Sequence, residues 1–112
     1  MASQTEGATA NAAAANRIAS EVGSWDGVTV HAHRFGGVEF RLGRRELGHV
    51  HGNHLADLPF PVPVRDRLIA ERKARPHHVL PDSGWVSVPI RTAADVQLVS
   101  DLFRMNYARR TS

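Results

Sequence analysis

The chain has 112 residues, 42% of them hydrophobic, and 14 Lys and Arg against 11 Asp and Glu leave a formal charge of +3. That length fits one ordinary domain with a real core, and so small an excess of scattered arginines argues against a nucleic-acid footprint. With no cysteine, no segment apolar enough to span a bilayer and no secretory leader, the expectation is a cytoplasmic domain without disulfides or membrane partners.

Residues 1–16 are small and polar with little apolar bulk, and read as a flexible N-terminal tail ahead of a single folding unit over 17–110. A core that size is only marginally stable, so formation of a homodimer would be a natural supplement. Alanine-rich residues 11–22, with Ile18 and Val22 four apart, predict a short helix that Gly23 stops. β-branched alternation predicts a strand over 28–35, a Gly36-Gly37 hairpin turn and a second strand over 38–42. Gly43-Arg44 makes the next turn and 46–51 the third strand of an antiparallel meander.

Residues 52–63 read as irregular, because the proline run over 58–63 lacks the backbone donors of a central strand or helix. Pro63 suits the first turn of a helix carrying Val64, Leu68 and Ile69, which Pro76 would end. Residues 77–80 and 85–90 read as strands around the turn Pro81-Asp82-Ser83-Gly84. Thr92 and Asp95 approximate a capping box for a last helix with Val96, Val99, Leu102, Phe103 and Tyr107 on its apolar stripe. The order α-β-β-β-α-β-β-α predicts an α+β domain: a mostly antiparallel sheet of about five strands with helices packed on one face.

All seven histidines fall between His31 and His78. Residues two apart on a strand share a face, so His31 pairs with His33 and His49 with His51, and register decides whether the two pairs meet. His31 and His33 read as half-exposed strand residues; His49, His51 and His78 read as functional. One use is acid–base chemistry or ligand orientation near neutral pH. Another is metal ligation, with Glu46 or Asp57 as oxygen donor. Glycines flank the first cluster, Gly48-His49-Val50-His51-Gly52, allowing close approach of a backbone or ligand, and Asp57 could orient an imidazole or serve as a turn residue. In the second cluster, His77 and His78 would point opposite ways on a strand, so at most one faces a given pocket. Ser83 suits a turn or a ligand contact, and Trp85 the core or a pocket wall. No Gly-x-Ser-x-Gly elbow supports Ser83 as a nucleophile. Arg65 reads as a solvated residue or an anion clamp. No Walker loop, dinucleotide fingerprint, CxxC or HExxH occurs, so no cofactor or metal is assigned.

The motifs Arg34-Phe35-Gly36-Gly37-Val38-Glu39-Phe40, Glu46-Leu47-Gly48-His49-Val50-His51, Asp57-Leu58-Pro59-Phe60, Arg65-Asp66 and His77-His78-Val79-Leu80-Pro81-Asp82-Ser83-Gly84-Trp85 resemble, in order, the small bacterial luciferase-domain proteins, which have no established activity. The resemblance runs from about Trp25 to Tyr107. The family takes its name from fungal luciferase, which oxidises a hispidin-type pyrone with oxygen and without a known cofactor. It therefore implies a cofactor-free site for a small apolar or aromatic molecule, walled by His49, His51, Asp57, His78, Ser83 and Trp85. The chain is shorter than the fungal enzyme, and a shared domain does not transfer a reaction. A weaker likeness, of Gly84-Trp85-Val86-Ser87-Val88-Pro89 and the helix after it, is to YjbR-like proteins.

The resulting expectation is a His-lined pocket between sheet and proline-rich loop. His49 and His78 would be proton acceptors oriented by Asp57, with His51, Arg65, Ser83 and Trp85 contacting the ligand. The alternative is a nucleic-acid or interaction module using Arg41, Arg44, Arg45 and Arg104.

Overall fold

The computed structural model describes residues 13–33 and 36–111. Residues 1–12 of the expected tail, and Arg34 and Phe35 of the first expected strand and motif, lie outside the described residues. Helix α1 (Ala14–Val22) is followed by strands β1 (Val28–Ala32), β2 (Val38–Leu42), β3 (Arg45–His51) and β4 (Leu55–Pro59), helix α2 (Val62–Ala70), strands β5 (Arg75–Pro76) and β6 (Trp85–Pro89), and helix α3 (Ala93–Thr111). The strands form one sheet in the order β1-β2-β3-β4-β6-β5, every pair antiparallel. The class is α+β, as expected, with six strands rather than about five.

The expected irregular stretch contains a central strand. In β4, Ala56 and Leu58 are fully buried and Asp57 pairs with His49 on one side and Ser87 on the other. Proline is accommodated because Pro59 is the strand's last residue and the β3–β4 ladder stops at Asp57. Beyond that point the buried Asn106 of α3 takes over: its Nδ2 donates to Leu47 O at 3.0 Å and Pro59 O at 2.9 Å. A side-chain amide thus donates to two carbonyls where the ladder ends, beside a proline that has no N–H to offer.

Three more expectations are corrected. The segment 77–80 is a loop, since only Arg75 and Pro76 pair with β6. Helix α2 ends at Ala70, with Arg72 at φ 60, well before Pro76. Between β1 and β2 the pairing closes at Ala32↔Val38, so the connection is longer than a two-residue Gly36-Gly37 turn. Helix α1 begins at Ala14, inside the span expected as tail; Ala14 is fully buried and Ala15 N donates to Asn53 Oδ1 at 2.9 Å.

Helices α1 and α3 pack on one face of the sheet. Ile18 and Val22 of α1 and Val99 and Phe103 of α3 are fully buried there, with Phe40 edge-on to Phe103 at 5.1 Å. The start of α3 is capped as the Thr92 and Asp95 spacing predicts. Asp95 Oδ2 accepts from Arg91 N and Thr92 N, and Asp95 N donates to Thr92 Oγ1. Among the described residues no helix is long and apolar enough to cross a membrane.

Candidate functional site

The opposite face of the sheet carries polar chemistry, and register aligns it. Successive cross-strand partners run His31↔Glu39, Glu39↔His49, His49↔Asp57, Asp57↔Ser87 and Ser87↔Arg75. Directly opposed residues share a face, so one polar row crosses all six strands, with Asp57 near its middle.

A bulge sharpens this row. Phe40 pairs with Gly48 but Arg41 with Glu46, leaving Leu47 as an extra residue on β3. In a regular strand Glu46 and His49 would face opposite ways; the inserted residue turns Glu46 onto the histidine face and sends Leu47 into the core. His49 Nδ1 then lies 2.5 Å from Glu46 Oε2. Gly48 makes the bulge possible. Its φ is 149 and a Cβ there would lie 2.7 Å from Asp57 O and 2.8 Å from Phe103 Cε1.

Asp57 is fully buried. Its Oδ1 accepts from Ser87 Oγ at 2.6 Å. Around Oδ2 stand three imidazole Nε2 atoms: His51 at 2.8 Å, His49 at 3.3 Å and His77 at 3.5 Å. Burial alone would raise the Asp57 carboxyl, but hydrogen bonds from His49, Ser87 and His51 and the charge of His77 hold it well below the usual carboxylate range. Burial alone would depress His49, but hydrogen bonds to Asp57 and Glu46, reinforced by their charges, raise it to about 9. His77 is depressed, mainly by burial and with help from the charges of His78 and His49, against the pull of Asp57. A buried carboxylate is thus flanked by one cationic imidazole and one that favours its neutral form.

Asp57, His49, His51 and His77 line a hollow of about 370 Å³. His33 stacks on His49 at 4.1 Å and His77 on His78 at 4.3 Å. Trp85 lies 5.4 Å from His49. Val79 and Leu80, 66% and 50% exposed, complete an apolar wall.

Of the expected site residues, the structure brings His49, His51, Asp57, His78 and Trp85 together. Ser83 and Arg65 stand outside the hollow. Ser83 Oγ donates to Leu80 O and accepts from Trp85 N, a turn role set by its position. Arg65 binds Asp66 and Pro81 O, tying α2 to the loop. His33, expected as an unremarkable strand residue, joins the hollow. So does His77: without a strand at 77–80, adjacent rings need not diverge. Ser87 was missed, although its spacing of two from Trp85 places both on one face. Of the expected basic group, Arg41 pairs with Glu39 and Arg104 lies over Trp25 at 4.7 Å.

A family model described as Luciferase domain matches residues 44–106, more than half of the chain. No finding supports the weaker likeness to YjbR-like proteins. Neither a curated protein nor a solved structure matches.

Proposed function

The chain belongs to the luciferase-domain family, and from that premise we propose that it binds a small apolar or aromatic molecule in the histidine-lined hollow. The observation that carries this reading is the composition of that hollow: five imidazoles and a buried carboxylate together with Trp85, Val79 and Leu80. Concave sites with apolar walls and a few convergent polar groups are the usual form of a small-molecule site. A planar ring carrying an acidic hydroxyl suits it, with the ring against Trp85 and the hydroxyl toward His78 at the exposed mouth. Oxidation by molecular oxygen is the reaction class to assay first, because the fungal relative's chemistry acts on such a ring.

Two tryptophans occur, and Trp25 lies away from the hollow against Tyr107 and Arg104. In a Trp25→Phe background, Trp85 fluorescence reports the site alone. Titration in EDTA with 4-hydroxy-6-methyl-2-pyrone and with 1-naphthol gives saturable quenching for at least one, at ~1 mM or tighter, and oxygen uptake is followed in the same samples. No saturable change with either probe refutes the reading.

A second reading rests on Arg44, Arg45, Arg109 and Arg110, which border a separate hollow of about 530 Å³. Burial, and then the charges of Arg109 and Arg45, depress Arg110, and its Nε is buried without a hydrogen-bond partner among the described residues. Such a group suits nucleic-acid phosphate. Binding of a short duplex that weakens steeply between ~50 and ~200 mM salt supports it; no binding at low salt removes it.

A further inference from the structure

We infer that His49, His51 and Asp57 form a binding site for a divalent first-row transition ion, of the kind Zn(II) or Fe(II), at the floor of the histidine-lined hollow. The resemblance to the fungal enzyme implies a cofactor-free site; the donor set argues otherwise.

Three observations converge. First, the donor atoms are already gathered: His49, His51 and Asp57 each offer one ligand atom, and these atoms lie within 4.8 Å of one another. The Asp57 Oδ2 to Nε2 distances are 2.8 Å for His51 and 3.3 Å for His49. Donors ~2.1 Å from a common ion, at angles between octahedral and tetrahedral, stand ~3.0–3.4 Å apart. The two Asp57–imidazole distances lie in or close to that range. His77 Nε2, 3.5 Å from the same oxygen, is the nearest group for a fourth position.

Second, each buried donor is held from behind. The far nitrogen of His49 bonds Glu46 Oε2, and the far oxygen of Asp57 accepts from Ser87 Oγ at 2.6 Å. A carboxylate behind a histidine fixes the ring and its tautomer, aiming Nε2 at the ion; this is the usual support of a metal-bound imidazole. The β3 bulge that carries Leu47 into the core also brings Glu46 to this face, where its carboxylate meets His49.

Third, the set is open on one side. Two imidazoles and one carboxylate beneath a hollow of about 370 Å³ leave positions for water or an organic ligand. Closed four-ligand sites are structural, whereas sites with free positions bind and polarise a ligand. The imidazole and carboxylate donors favour Zn(II), Fe(II) and their neighbours over Ca(II) or Mg(II), which prefer all-oxygen sets. An ion there would meet the hydroxyl or carbonyl of a molecule held against Trp85.

The test uses full-length protein without a histidine tag, stripped with EDTA and dialysed, titrated calorimetrically with Zn(II). One ion binds per chain at ~1 μM or tighter, and His51→Ala, whose side chain is 28% exposed, weakens binding at least ~30-fold while circular dichroism stays native. Glu46→Gln touches no ion yet weakens binding about tenfold, which keeps the test decisive should His51→Ala not fold. His31 and His54 lie outside the hollow, and alanine at both leaves the affinity unchanged. Absence of a one-to-one event, or wild-type affinity in His51→Ala and Glu46→Gln, overturns the site and marks any uptake as surface histidine binding. The pyrone and naphthol titrations run in EDTA, so failure of the ion leaves the ligand reading standing, and the reverse holds.

Discussion

Replacing Asp57 with Asn in the metal-free protein separates the electrostatic part of the site from its packing. The amide keeps the size of the side chain and can still accept from Ser87, but it removes the charge beside His49. An imidazole raised from 6.5 to about 9 is favoured in its charged folded form by roughly 3 kcal/mol at low pH. The sign follows from a raised folded value. This stability is fully present below pH ~6.5, mostly retained at pH 7, and nearly gone by pH ~10, above the folded value. Glu46 shares the work with Asp57, so Asp57→Asn should cost on the order of 1–2 kcal/mol more at pH 7 than at pH 10. The total at neutral pH should reach ~3–5 kcal/mol, the range for removing one partner of a buried ion pair. Urea denaturation in EDTA at both pH values measures this. A penalty equal at the two pH values, or under ~1 kcal/mol at pH 7, would refute the assignment of His49 as the cation paired with Asp57.

Asn106→Leu leaves the Leu47 and Pro59 carbonyls without their donor and should cost ~2–4 kcal/mol in chemical denaturation, with loss of Trp85 probe binding as β3 and β4 loosen. Gly48→Ala introduces a Cβ 2.7 Å from Asp57 O at φ 149, so a loss of ~2–4 kcal/mol is expected by thermal denaturation; a neutral result would contradict the bulge geometry. Val79→Ser with Leu80→Ser alters residues that are 66% and 50% exposed, and should shift stability by less than ~1 kcal/mol. The same pair should weaken aromatic binding severalfold in the fluorescence titration; unchanged affinity would place the ligand elsewhere.

Much of the fold was legible because local physics wrote it. The alternation over 38–42, the glycines beside β3, the capping residues Thr92 and Asp95 and the stripe from Val96 to Phe103 each specify their element through neighbours in sequence. The proline-rich segment misled for a concrete reason. A lone proline is compatible with a central strand when it occupies the end, and the donor that compensates it, Asn106, lies 47 residues away from Pro59. No pattern of near neighbours announces that partnership. Missing β4 removed Asp57 from the sheet and so hid its pairing with both His49 and Ser87.

The chain on its own specified an α+β class, a cysteine-free composition, a family and a concentration of histidines, since each is a property of residue identity and short-range period. Which imidazoles meet was decided in three dimensions. Strand register aligned His49 with Asp57, a one-residue bulge turned Glu46 toward them, and an irregular loop brought in His77 and His78 together. Strand faces alternate at every residue, so a single-residue slip or insertion reverses which side chains share a surface. Only the assembled sheet determines that choice.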